Sequence, residues 1–167
     1  MDMRQLPFEH PDAVKLNDRV QLEYAERYGH DGDEGDVTPL APSMFEPPQG
    51  LYLVGYDDQG IPVATGGWRS QDENDEGYAN GDAEIKRMYV IPEARGRGLA
   101  RRVLATLEDN ALAAGRTRMV LETGINLTEA ISLYVSSGYE PCVKFGHYRF
   151  DELSRCYAKP LAAATGP

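Results

Sequence analysis

Apolar positions along the chain recur at two periods. Val14, Leu16, Val20, Leu22 and Tyr24 fall near helical spacing with Gly29 just beyond, which predicts an amphipathic helix over 12–28. Leu99, Val103, Leu107, Ala111 and Ala114 step by three or four and stop at Gly115, which predicts a second helix over 98–114. Asn126 with Glu129 three residues later resembles an N-cap and its capping-box partner, opening a third helix that ends at Gly138. Between these lie short runs of strand character. Leu51–Tyr56 and Ile61–Thr65 flank Asp57-Asp-Gln-Gly60 as an antiparallel hairpin, Glu84–Ile91 is closed by Pro92, and Arg118–Glu122 follows the second helix. Runs at 140–144 and 155–159 predict a closing antiparallel pair. Strands and helices mixed along the chain give an α/β or α+β class.

Two loops interrupt the pattern. Residues 29–50 hold four prolines, four glycines and five acidic residues, and a loop of that length in a compact domain is usually functional or mobile, so a lid is one reading. Asp31 to Asp36 within it falls short of a calcium loop, because the glycine comes one place early and position twelve is Pro42. A second acidic loop spans Ser70 to Asp82.

The chain of 167 residues suits a single domain, 1–167, and its 41% hydrophobic content suffices for a core. Seventeen basic against 27 acidic residues leave a net charge of −10, which disfavours nucleic acid and anionic lipid as partners; cationic amines are tolerated by such a surface. Cys142 and Cys156 form no C-x-x-C and have no histidine at ligand spacing, so buried free thiols and no metal are expected. The start MDMRQLPFEH lacks an apolar core and no apolar stretch approaches 18 residues, which leads to the expectation of a cytoplasmic protein without a membrane span.

The most informative stretch is Pro92-Glu-Ala-Arg95-Gly96-Arg97-Gly98-Leu99-Ala100-Arg101, which joins a strand directly to a helix. Backbone N–H groups at a helix start, glycines that allow close approach and nearby arginines make an anion site suited to a diphosphate. A tight strand-to-helix turn with a solvated arginine face would also use these residues. A dinucleotide loop needs a third glycine where Arg101 stands, and the Gly-Lys-Ser/Thr ending of a nucleoside-triphosphate loop is missing.

Arg95-x-x-Gly98-x-Ala100 resembles the Q/R-x-x-G-x-G/A signature of the GNAT superfamily of acetyl-CoA-dependent N-acetyltransferases, and Ala130-x-x-Leu133-Tyr134-x-x-x-Gly138-Tyr139 resembles a downstream family segment. The resemblance covers roughly residues 50–160. It implies a mixed, mostly antiparallel sheet of six to seven strands with a splayed parallel pair in the middle, flanked by about four helices. It implies acetyl-CoA as cosubstrate, with Arg95, Gly96, Arg97, Gly98, Leu99, Ala100 and Arg101 at the pyrophosphate. The backbone of Met88, Tyr89 and Val90 would meet the pantetheine arm. Seven residues before the tyrosine the family usually has Asn or Gln as a coenzyme contact; here Leu127 stands there, so Asn126 is either a displaced ligand or the helix N-cap.

An amine acceptor must lose a proton before it attacks a thioester, and a carboxylate or a relayed water can take it. Glu122 at the end of its strand and Glu84, read as facing the same side as Met88, are the candidate bases; each could instead be an ion-pair partner of Lys86, Arg87 or Arg118. Tyr134 is the expected proton donor to the leaving thiolate, the alternative being a core tyrosine. Trp68, Phe145, His147 and Tyr148 are open between an acceptor pocket, the core and a homodimer edge. The expected reaction is direct transfer to a primary amine through a ternary complex, with a small molecule or amino acid favoured over a protein N-terminus or lysine. A non-catalytic acyl-CoA-binding regulatory module is the alternative of a different class.

Overall fold

The computed structural model describes residues 1–28 and 38–162. One sheet contains β1 (Asp2–Gln5), β2 (Gly50–Tyr56), β3 (Pro62–Gln71), β4 (Asp82–Val90), β5 (Arg118–Gly124), β6 (Glu140–Pro141) and β7 (Ser154–Pro160), in the order β1-β2-β3-β4-β5-β7-β6. All neighbours are antiparallel except β4 and β5. Three α-helices accompany the sheet among the described residues, α1 (Pro11–Tyr28), α2 (Leu99–Ala113) and α3 (Thr128–Ser136), where about four were expected.

Helices α1 and α2 cover opposite faces. Leu51 is the cross-strand partner of Trp68, so both share one face while Tyr52 points to the other. Trp68, fully buried, donates from Nε1 to Asn110 Oδ1 of α2 at 2.9 Å. Tyr52 accepts at 2.8 Å from Asn17 of α1. Val103, Leu104, Leu107 and Ala111 form the buried stripe of α2, as the three-or-four periodicity requires.

Strand β3 runs six residues past the predicted stop at Thr65, through Gly66 and Gly67. A Cβ at Gly66 would lie 2.6 Å from Met88 Sδ, and one at Gly67 would lie 2.6 Å from the Tyr52 ring. The glycines are thus demanded by crowding on both faces and do not end the strand. Strand β1, DMRQ, went unpredicted because a single half-buried apolar residue, Met3, among three exposed polar ones gives too little alternation to read; only the partner β2 defines it.

Of the 29–50 segment, residues 29–37, including Asp31 to Asp36, lie outside the described residues. The described remainder is no free lid: a short 3-10 turn at Pro42–Phe45 buries Phe45, whose ring stacks on Phe8 at 4.7 Å and meets Tyr52 edge-on at 5.5 Å. Helix α3 also begins differently from expectation. Leu127 is its N-cap, with no side-chain cap bond, because Gly124 to Leu127 form a turn closed by Leu127 N–H donating to the Gly124 carbonyl at 2.9 Å. Asn126 is an exposed residue of that turn.

Cys142 and Cys156 are free thiols, half-buried and buried respectively. Burial pushes the Cys156 thiol up to about 11. Because the folded state holds the proton more tightly, this stabilisation is present below the thiol's ordinary value of ~8.5 and is lost as pH rises through about 11. Over that window the wild type is expected to lose about 2 kcal/mol more unfolding free energy than Cys156→Ala, as checked by denaturant titrations at pH 8 and 11.

Candidate active site

Strands β4 and β5 pair only through Asp82↔Arg118, Ala83↔Met119 and Glu84↔Val120. That closed end is clamped by the Arg118 guanidinium, which donates twice to the fully buried Asp82 carboxylate, at 2.7 and 2.9 Å. Beyond Glu84 the strands part. The register of β4 against β3 shifts between Thr65 and Gly67, and Arg87 holds φ 62°, the one non-glycine residue with positive φ among the described residues. A bulge of this kind bends its strand and interrupts the alternation of side chains.

The opening is a cavity of about 510 Å³. Met88, Tyr89 and Val90 line it from β4, Leu121, Glu122, Thr123 and Gly124 from β5, and Leu133 and Tyr134 from α3. One end is walled by Arg95, Gly96, Gly98, Leu99, Ala100 and Arg101, where the loop enters α2. Gly96 and Gly98 have φ of 81° and 73°, and nothing lies within 4 Å of where a Cβ would project. The left-handed turns therefore leave the first N–H groups of α2 open to an anion.

The arginines divide their work. Arg95 donates from Nε to the Val90 carbonyl at 2.9 Å and pairs with Glu23 of α1 at 2.9 Å, tying loop to strand and helix. Arg101 donates to Ser136 Oγ at 2.6 Å and Ser137 Oγ at 3.1 Å, joining the start of α2 to the end of α3. Arg97 is exposed and, like Asn126, does not line the cavity; Leu127 lines it instead.

Tyr134 is 6% exposed and reaches the cavity from α3. Its ring meets Tyr139 edge-on at 5.7 Å, and the Tyr139 hydroxyl donates to Glu108 of α2 at 2.7 Å, so the two helices fix the ring together. Burial, with no opposing cause, pushes the Tyr134 hydroxyl well above the ordinary phenol range, and it stays protonated.

The two candidate bases separate. Glu122 lines the cavity half-buried, and its Oε1 accepts from Ser154 Oγ of β7 at 2.9 Å. Glu84 does not line it and does not face the same side as Met88, correcting the simple alternation. Glu84 lies with its cross-strand partner Arg69 on the α1 face, whereas the bulge turns Met88 toward Gly66, Val103 and Leu107 on the α2 face. At 2% exposure it accepts from Arg69 Nε at 2.8 Å, Tyr78 OH at 3.0 Å and Gln71 Nε2 at 3.2 Å.

Among the aromatics left open by the sequence, Trp68 and Phe145 belong to the core and His147 is exposed. Tyr148 lines the cavity. Ser154, Lys86 and Arg87 also line it and were not singled out as site residues. Only the β5–β7 register, which pairs Ser154 with Gly124 and so sets it diagonally across from Glu122, and the bulge at Arg87 bring them there.

A parallel strand pair that parts around a cleft, with an anion-binding helix start at one end and a buried tyrosine facing in, defines the site of an acyl-CoA-dependent acyltransferase. The chain belongs to the GNAT family: the family model described as Acetyltransferase (GNAT) family matches residues 17–139. It is 44% identical over 81 residues to IAA acetyltransferase of Azospirillum brasilense, covering 48% of this chain and about half, 53%, of that relative. It is 30% identical over 150 residues to the N-acetyltransferase YjgM of Escherichia coli K12, covering 83% and 81% of the two chains. An acyl-CoA N-acyltransferase structure from Klebsiella pneumoniae superposes with a TM-score of 0.75 at 28% identity, over 96% of this chain and 97% of that one. No helix among the described residues is long and apolar enough to cross a membrane.

Proposed function

We propose that the protein transfers the acetyl group of acetyl-CoA directly to the primary amine of a small molecule. The observation that carries this reading is the single cavity wall-to-wall from the Gly96–Gly98 helix start to Tyr134 and Glu122, which joins an anion site to a proton donor and a carboxylate. The open approach at both glycines fits the pyrophosphate of coenzyme A, and the unpaired edge of β4 beyond Glu84 fits its pantetheine amides. A small acceptor is supported by the names of two relatives, IAA acetyltransferase and the aminoalkylphosphonate N-acetyltransferase of Salmonella typhimurium, the latter 34% identical over 73 residues.

In this reading the amine nitrogen attacks the thioester carbonyl carbon and gives up its proton to Glu122, directly or through a water. The C–S bond then breaks, the amide is left on the acceptor, and the sulfur takes the Tyr134 proton. Ser154 Oγ donates to Glu122 Oε1 at 2.9 Å, which restrains the carboxylate in the cavity wall. The test is thiol release from acetyl-CoA with small amines and with peptides bearing free N-termini or lysines. Glu122→Gln is expected to lower kcat/KM at pH 7 by at least about tenfold and to remove its rise with pH. Coenzyme binding without thiol release for any amine would reject catalysis, and an unaltered pH profile in the variant would reject Glu122 as base.

A further inference from the structure

The edge of the sheet beyond β7 brings the two cysteines together. Strand β6 pairs Glu140 with Ala158 and Pro141 with Tyr157, and the next step opposes Cys142 to Cys156, joined by the Cys142 N–H donating to the Cys156 carbonyl at 3.0 Å. Residues directly opposite across an antiparallel pair point to the same face, and both cysteines accordingly pack on one small cluster with Tyr78, Val120 and Phe145. In a hydrogen-bonded pair of this type the α-carbons stand about 5.5 Å apart, inside the range of about 4.4–6.8 Å that a disulfide spans. Cys142 is half-buried and Cys156 is 3% exposed, so an oxidant from solvent meets Cys142 first. Burial raises the Cys142 thiol above its ordinary value, and the Arg118 guanidinium opposes that by favouring the thiolate, the form that reacts. The chain between the cysteines, residues 143–155, gives the cavity Tyr148, Asp151, Leu153 and Ser154. Its start is pinned by the fully buried Phe145, whose carbonyl faces the Cys156 sulfur at 4.0 Å, and Cys156 is itself the cross-strand partner of Glu122.

We infer that Cys142 and Cys156 are a redox modification site, where a hydroperoxide forms a disulfide that closes the 143–155 loop at its base and resets one wall of the cavity. The Cys142 thiolate attacks a peroxide oxygen, the O–O bond breaks, and the departing hydroxide takes a proton to become water, leaving a sulfenic acid on Cys142. The Cys156 sulfur then gives up its proton and attacks the Cys142 sulfur. The S–O bond breaks, a second water leaves, and the two thiols have been oxidised as the peroxide is reduced. A bond across a loop of this kind restricts the unfolded chain and so stabilises the folded one. It also consumes the Cys156 S–H that faces the Phe145 carbonyl and draws that sulfur toward Cys142, so the change falls beside Glu122 and at the root of the segment carrying Tyr148 to Ser154. The effect on the acceptor rests on the transfer reading above; the disulfide itself does not.

The experiment treats the full chain with hydrogen peroxide and counts thiols after denaturation. Both thiols are expected to disappear together, with a mass lower by two hydrogens, a monomer on non-reducing electrophoresis, and a Tm higher by about 5–10 °C. Dithiothreitol is expected to reverse all of these. Cys142→Ala and Cys156→Ala are each expected to show no gain in Tm on the same treatment, and using both keeps the test valid if one folds poorly. With the best amine of the panel, the oxidised protein is expected to show an acceptor KM raised by at least about fivefold and an unchanged KM for acetyl-CoA. Two thiols still titratable, a mass increased by oxygen alone, or a disulfide-linked dimer overturns the site. A disulfide that forms and leaves the acceptor KM unchanged overturns its hold on the cavity and leaves the transferase reading standing. No thiol release from acetyl-CoA with any amine, before or after oxidation, overturns the transferase reading, and the thiol count and Tm then decide the disulfide by themselves.

Discussion

Glu84→Ala is expected to lower the free energy of unfolding by about 3–5 kcal/mol, read as a lower denaturant midpoint with an unchanged slope. The carboxylate is the common acceptor of Arg69, Gln71 and Tyr78, and it lies 3.7 Å from Lys86. Arg69 and Lys86 are themselves 8% and 7% exposed, so removing the one anion between them leaves two enclosed cations facing each other. That is the costly way to break a buried ion pair, since desolvation is retained and attraction is lost. Arg69 also donates to the Pro39 carbonyl at 3.2 Å, so the cost includes loosening the segment laid over β3. Glu84→Gln keeps the shape and some hydrogen bonds and should lose less. If Glu84→Ala unfolded at the wild-type midpoint, the cluster would contribute nothing to stability.

Tyr134→Phe is expected to lower kcat by about 10²-fold with little change in the KM for acetyl-CoA. Phenylalanine preserves the edge-on contact with Tyr139 and the burial of the ring, and only the hydroxyl is lost. Proton delivery to the departing sulfur is a transition-state interaction, so its loss appears in kcat and leaves ground-state binding alone. The pH dependence follows from the upward shift of the hydroxyl. Its protonated, competent form persists past the ordinary phenol value of ~10, so Tyr134 imposes no fall in kcat as pH rises to that point. Steady-state kinetics with saturating amine from pH 7 to 10 check both statements. Full activity in Tyr134→Phe would remove the assignment.

The candidate anion site at Gly96–Gly98 could be read from the sequence because its elements are local. A strand, a glycine-bearing loop and a helix start follow one another within residues 84–101, and backbone N–H groups at a helix start point to an anion whatever surrounds them. Tyr134 was legible through a pattern on one helix. The acceptor end was not, because its lining comes from α1, β4, β5 and the stretch Tyr148 to Ser154, which no spacing rule relates.

Glu84 marks the limit most sharply. Period-two alternation placed it beside Met88, and the single bulge at Arg87 sent the two to opposite faces. The same irregularity parted β4 from β5 and opened the cavity. The sequence by itself determined the helices, the main run of each longer strand and the anion-binding helix start, since those depend on near neighbours in the chain. Which carboxylate meets the cavity and which is buried in an ion cluster were decided only by the tertiary structure, because strand register and one left-handed residue are set by partners distant in the chain.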